Sequence, residues 1–361
     1  MHGCLKPLWI GDVSWARFQP TTILDVMPGI KQLSYQRLGI YYLSHSQQLL
    51  IKAAVLSGTA GVDAWEEWQS LVDLENLDSA SNALLCQLYC NLTKNQVQHP
   101  HLAKLKGIYK RSWYGNQLQR QKLQKVITAL NSHQLAVAIL DEVALMEQYE
   151  LDRGSRSLDR INLLIHPEQL ESAISILSQL GWQLTSERKN RTDLWLEFAD
   201  QAHTRLYLWG NLFNDAPFPA VHTAQQLWKD TVLCDLGGVG GTASLNSSNA
   251  LLRLSTRIFQ RGCHSSLVAL ADALILCQSE SIDWIDVIAK AQCYGCILPL
   301  RNLLLLLGQL CSLKVPPWVI SALYQIPMSS GELVKYQILP TDRKTLLKSW
   351  FARSLDLMKS T

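Results

Sequence analysis

Charge is scarce in this chain: only 17% of its 361 residues are Asp, Glu, Lys or Arg, and 33 cations against 30 acids leave a net +3. A balance so near neutral excludes a polyelectrolyte binder of the histone type. Long apolar runs are also missing. The most apolar stretch, residues 297–315, is interrupted by Arg301, Asn302, Gln309 and Lys314, whereas a spanning helix needs about 20 predominantly apolar residues. No membrane partner is expected. The first residues lack the basic start and apolar run of a signal peptide, so a cytoplasmic protein is expected. A zinc framework is absent too: the nine cysteines are odd in number and scattered. The two close pairs, Cys86 with Cys90 and Cys293 with Cys296, lie in apolar helical surroundings, where a thiol acts as a small hydrophobe.

What remains is a chain with 48% apolar residues and 12 tryptophans, long enough for two or three domains with their own cores. Three regions differ in period. Up to residue 130, apolar residues recur at three- and four-residue spacing, and Trp65, Trp68 and Leu71 fall on one helical face. From Lys104 to Lys125 there are seven cations and no acid. The spacing predicts a helix with a solvated basic face and Leu105, Ile108, Trp113, Leu118 and Leu123 packed inward. Nucleic-acid binding through that face is the weaker reading.

The period then shortens. Leu135–Leu140 and Arg160–Ile165 read as buried strands, with a helix near residues 142–149 between them. A second helix runs from Pro167, suited to a first turn, to Gly181, suited to the stop. Two part-alternating strands follow, over residues 193–200 and 204–210. The glycines at 237–241 are not a P-loop, since Thr242 follows Gly241 directly with no lysine. They read as a linker to a helix capped near Ser247 or Ser248, and the helical period returns from Asn249.

Three segments carry a resemblance to one family. They are residues 49–78 with 83–92 and 102–119, then "LAVAILDEVALMEQYELDRGSRSLDRINLLIHPEQLESAISILSQLGW", and later "SSLVALADALILCQSESIDWIDVIAKAQCYGC". Together they resemble the uncharacterised bacterial nucleotidyltransferase-like proteins, a branch of the DNA polymerase β-type superfamily. The fold this implies is α+β: an α/β core with a small mixed sheet over residues 131–215, between helical modules at 1–130 and 216–361.

The resemblance also implies an active site, which this chain has lost by type. Where the family places Leu-Lys-Gly for nucleotide phosphates, the chain has Leu140, Asp141 and Glu142. Two carboxylates there repel a triphosphate. After the family's arginine, retained as Arg156, two aspartates normally bind magnesium; here Arg160 and Asn162 stand in their places, preceded by Asp159. A third carboxylate strand is matched by residues 206–209, which keep only Trp209. Magnesium requires hard anionic oxygen ligands, which an arginine and an amide do not supply.

The expectation is therefore a pseudoenzyme: a former cleft of Asp141, Glu142, Arg156, Asp159, Arg160, Asn162 and Trp209 that takes no metal or cofactor and receives a peptide or protein. Nucleic acid is disfavoured as a partner. The resemblance further implies a place in peptide natural-product biosynthesis. The alternative is an active enzyme using magnesium and ATP, with Asp141, Glu142 and Asp159 as replacement ligands. One detail sharpens the first reading: Arg160 is expected to form a salt bridge with Asp141 or Glu142 across the old cleft.

Overall fold

A computed structural model describes residues 43–149, 151–189, 194–213, 220–260, 267–279, 282–328 and 332. The chain enters through three short helices, α1 (His45–Val55), α2 (Thr59–Leu71) and α3 (Ser79–Lys94). Local chemistry sets their starts. Ser44 and Gln47 form a reciprocal capping box on α1, and Asp78 accepts from the Ala80 and Ser81 amides at 3.0 Å on α3. Trp65 and Trp68 are buried as their spacing predicts, but Leu71 at the end of α2 is exposed.

The 32-residue α4 (His101–Ser132) leads into the sheet. The chain continues through β1 (Val137–Ile139), α5 (Asp141–Gln148), β2 (Arg160–Ile165), a 3-10 turn at Pro167–Gln169 and α6 (Leu170–Gln179). Next come β3 (Gln183–Lys189), β4 (Leu194–Ala199), β5 (Arg205–Trp209), α7 (Ala220–Lys229), β6 (Thr231–Leu233) and β7 (Thr242–Leu245). Five helices follow: α8 (Ser247–Gln260), α9 (Leu267–Ser279), α10 (Trp284–Tyr294), α11 (Ile297–Cys311) and α12 (Pro317–Gln325). The architecture is α+β. Among the described residues no helix is long and apolar enough to cross a membrane.

The strands form one mixed sheet in the order β3-β4-β5-β2-β1-β7-β6. β1 pairs with β7 and β2 with β5 in parallel; the other neighbours are antiparallel. The alternation of a strand divides its residues between two cores. Ile161, Leu163 and Ile165 of β2 face a core with α4 and α6, containing Leu123, Ile127 and Leu177. Leu164, with Ala138 and Leu140, faces the opposite core, where α1, α2 and α3 share contacts with α8, α9 and α11. The helices before and after the sheet thus bury one another on its second face.

Two stretches differ from the sequence reading. The glycine-rich segment is a turn of a β-hairpin, not a linker. Gly237, Gly238 and Gly241 have φ of +66°, +85° and +73°, backbone that a side chain would strain. From α4, Gln124 Nε2 donates to the Leu236 carbonyl and Asn131 Nδ2 to the Gly240 carbonyl, both at 2.9 Å, fixing this turn. The α8 start is capped by Asn246, whose Oδ1 accepts from the Asn249 amide at 3.0 Å, not by Ser247 or Ser248.

Candidate functional site

The turn from β1 into α5 places Asp141 and Glu142 under the middle and C-terminal half of α8. Leu140 is still extended, and its amide donates to the Asn162 carbonyl at 3.0 Å, tying the end of β1 to β2. Asp141 then takes φ +61°, the left-handed region that Asp tolerates better than most side chains. This sharp turn sends both carboxylates toward α8.

There they meet Arg253 and Arg257, one helical turn apart on a single face. Arg253 grips Asp141 with two bonds, Nε to Oδ1 at 2.8 Å and Nη2 to Oδ2 at 3.1 Å. Arg257 bridges both acids, its Nη1 2.9 Å from Asp141 Oδ1 and its Nη2 2.8 Å from Glu142 Oε1. The Asp141 side chain is 2% exposed and that of Arg253 6%. Burial by itself would raise the Asp141 carboxyl, but the two guanidiniums outweigh it and hold the group well below the usual carboxylate range. Glu142 is lowered in the same way, with burial opposing and Arg257 prevailing. Burial works against the charge on Arg257 too, but the two acids push its pKa up.

The cluster extends onto the sheet. The Arg253 guanidinium lies over the Trp209 ring, 4.9 Å from its centroid. Trp209 Nε1 donates to Asn162 Oδ1 at 3.1 Å. Asn162 and Trp209 belong to the parallel neighbours β2 and β5, on the face that carries α8. Under these contacts, a cavity of about 20 Å³ remains, lined by Leu140, Asp141, Leu245 and Arg253 among others. That is room for a water molecule, not for a nucleotide.

Arg156 is not the loop-surface arginine that its glycine- and serine-rich setting suggests. It is buried, with Nε 2.6 Å from Asp272 Oδ1 on α9 and Nη1 donating to Ser155 Oγ at 3.1 Å. Burial pushes the Asp272 carboxyl up, against the pull of Arg156. From α4, Asn116 clamps the same loop: its Nδ2 donates to the Arg153 and Arg156 carbonyls at 2.6 and 2.5 Å, and its Oδ1 accepts from the Leu158 amide at 3.0 Å. Asp159 is exposed and accepts from Ser157 Oγ at 2.9 Å, so it closes the turn into β2.

The expected salt bridge of Arg160 is corrected. Arg160, half-buried at the start of β2, forms no ion pair with Asp141 or Glu142; its charge reaches both only through space. Their partners come from α8, more than a hundred residues later in the chain. Arg253 and Arg257 were missed, although a visible signal existed: two arginines four apart in the apolar helix "NALLRLSTRIFQ" need buried acids. Asp272 gave the same signal as the lone charge of "LVALADALIL".

The residues present do not fit a magnesium ion. Arg160 offers a guanidinium, the Asn162 amide oxygen is already used by Trp209, and the neighbouring acids are bound by arginines. Among the described residues, no three His, Cys, Asp or Glu side chains group as a metal site. Of the two cysteine pairs, Cys86 and Cys296 are buried as the apolar context predicts, but Cys90 is half-buried and Cys293 is exposed; burial pushes the Cys90 thiol up to about 12, away from a reactive thiolate.

The family described as uncharacterised nucleotidyltransferase matches residues 65–312, most of the chain, and the chain belongs to that family. No curated protein matches it. Among solved structures, the antibiotic-resistance factor ANT(2'')-Ia is similar, with a TM-score of 0.36 and 12% identity, over 49% of this chain and 90% of that one. An antigenic nucleotidyltransferase-like protein from Paracoccidioides brasiliensis is similar at a TM-score of 0.34 and 13% identity, over 60% and 96%.

Proposed function

We propose that the chain is a catalytically degenerate member of this family, retained to bind a peptide or protein instead of transferring a nucleotide. The observation that carries the reading is the pairing of Asp141 and Glu142 with Arg253 and Arg257. A phosphate-binding turn holds positive charge and open space. Here it holds two acids, neutralised from within and covered by a helix. Buried ion pairs cost desolvation that only good geometry offsets, so an exchange for magnesium and triphosphate would have to break four close contacts first.

The rearranged enzyme, with Asp141, Glu142 and Asp159 as metal ligands, asks the same carboxylates to leave their arginines. It also asks Asp159 to leave its own turn. A place in peptide natural-product biosynthesis rests on the resemblance of the sequence, and any peptide partner would meet the outside of the molecule, since the cleft residues Arg156 and Trp209 are engaged inward. Calorimetric titration with magnesium and ATP tests the proposal. We expect no heat of binding and no shift in melting temperature at millimolar nucleotide; metal-dependent binding would overturn the degenerate reading.

A further inference from the structure

Helix α4 contains seven Lys or Arg and no acid along its length. Three of the cations have partners: Lys104 meets Glu75, Arg120 meets Glu147, and Lys122 lies 2.5 Å from Asp200. The other four, Lys106, Lys110, Arg111 and Lys125, are exposed and form no ion pair among the described residues. At about 100° per residue they fall within one arc of the helix, spread over about 29 Å of its axis.

The same arc carries exposed apolar side chains, two of which, Trp113 and Leu118, the sequence pattern places in the core. Trp113, Tyr114 and Leu118 are 37%, 66% and 61% exposed. Their inward places are taken by Asn116 and Arg120, which hold the 153–158 loop and Glu147. Arg111, Tyr114, Leu118, Gln121 and Lys125 follow one another at three- and four-residue steps, the seam spacing of a helix that packs along another helix. It is a short apolar seam with cations at both ends and, among the described residues, no helix laid along it.

We propose that this face of α4 is a docking surface for an acidic amphipathic helix of a partner protein or peptide, an inference that rests on the binding reading above and gives it a place and a chemistry. Complementarity selects this occupant. A second copy of the chain would bring the same unpaired cations to the seam. The chain's own terminal segments are cationic as well: residues 1–42 hold four Lys or Arg against two acids, and residues 333–361 hold six against two. Single-stranded nucleic acid would want flat, open rings at the centre. The centre here is the aliphatic Leu118, and Trp113 and Tyr114 meet edge to face at 5.2 Å and 89°, which closes one ring face.

The probe is a labelled three-heptad peptide with Leu at the core positions and Glu at the flanking ones, titrated into the full chain by fluorescence anisotropy. We expect micromolar binding that weakens between about 50 and 200 mM salt, and none by the same peptide with Lys for Glu. Y114A/L118A and K110E/R111E are each expected to weaken it at least about tenfold. These residues are exposed, so both variants should melt like the parent; Lys125→Glu, at the far end of the stripe, keeps the test open if either folds poorly. The proposal is overturned if the acidic peptide does not bind, or if its affinity ignores these substitutions. It also fails if oligothymidylate or anionic phosphatidylserine vesicles compete the peptide away through the same residues, or if Leu118→Glu dissolves a self-associated form. Nucleotide titration leaves peptide affinity unread, so this inference and the degenerate-site reading can fail separately.

Discussion

Helices α8 and α4 both carry cations spaced to share a face, and the fold treats them in opposite ways. On α8, Arg253 is buried and Arg257 mostly covered, and each touches an acid. On α4, Lys106, Lys110, Arg111 and Lys125 are exposed and have no acid partner among the described residues. The difference follows from what lies against each helix. A buried guanidinium must find a carboxylate or leave the core, so α8 can cover the β1–α5 turn only because Asp141 and Glu142 are there. A solvated cation has no such demand, and one without an acid among the described residues stays available to partners outside.

Breaking the α8 side of this comparison gives the largest effect. Arg253→Met removes the two-bonded partner of Asp141 and leaves a buried acid with only Arg257, at a cost of about 3–5 kcal/mol in chemical denaturation. Arg257→Met strips Glu142 and weakens Asp141, but Glu142 is 18% exposed and water recovers part of the loss, so the cost is smaller. Equal costs for the two would mean that Arg253 does not hold Asp141 as the geometry describes.

Acid sharpens the same contrast at intermediate size. Asp141 and Glu142 both have carboxyl pKa values lowered in the folded protein. A lowered folded value means the unfolded chain binds protons more readily, so these groups stabilise the fold above their unfolded range near pH 4 and lose that contribution as pH falls below it. Asp272 is raised and works with the opposite sign, which blunts the acid loss without removing it. Denaturation midpoints measured from pH 7 to 3 are expected to fall below about pH 4. In the double variant Arg253→Met with Arg257→Met, the two acids lose the charges that lower them, and this limb flattens. A variant whose acid limb stays as steep as the parent's would assign it to other carboxylates.

The same contrast explains how much could be read from the residues alone. Strands β1, β2, β4 and β5 were legible because their apolar or alternating residues report burial directly. The polar β3 was not, since "QLTSERK" is an edge strand whose residues 183–188 are exposed on both faces and so carry no apolar period. β6 and β7 have only three and four residues, too few for a period to register. On α4, Leu105 and Leu123 are buried and Ile108 packs on the core as the spacing predicts, but Trp113 and Leu118 turn outward because Asn116 and Arg120 are buried for their bonds. At the site, the acids at positions 141 and 142 and the Arg160 and Asn162 side chains were visible, but the partners of the acids were not. Covalent order says nothing of which later helix will cover a turn, so Arg160, near in sequence, was preferred to Arg253 and Arg257.

The smallest effect belongs to the exposed cations, and its sign is informative. Lys106 and Lys110 are four apart on α4, a like-charge pair that repels by about 0.2–0.5 kcal/mol at low salt. Lys110→Ala removes that repulsion and adds the better helix former, so stability is expected to stay level or rise slightly, within about 0.5 kcal/mol. The gain should shrink as salt screens the pair in the parent. Arg111→Ala, next on the face, is expected to behave alike, since neither side chain has an ion-pair partner among the described residues. Denaturant titrations at low and high salt read both numbers. A loss of more than about 1 kcal/mol for either variant would mean that the cation is held by the chain itself, and the contrast between α4 and α8 would then collapse into one rule of internal pairing.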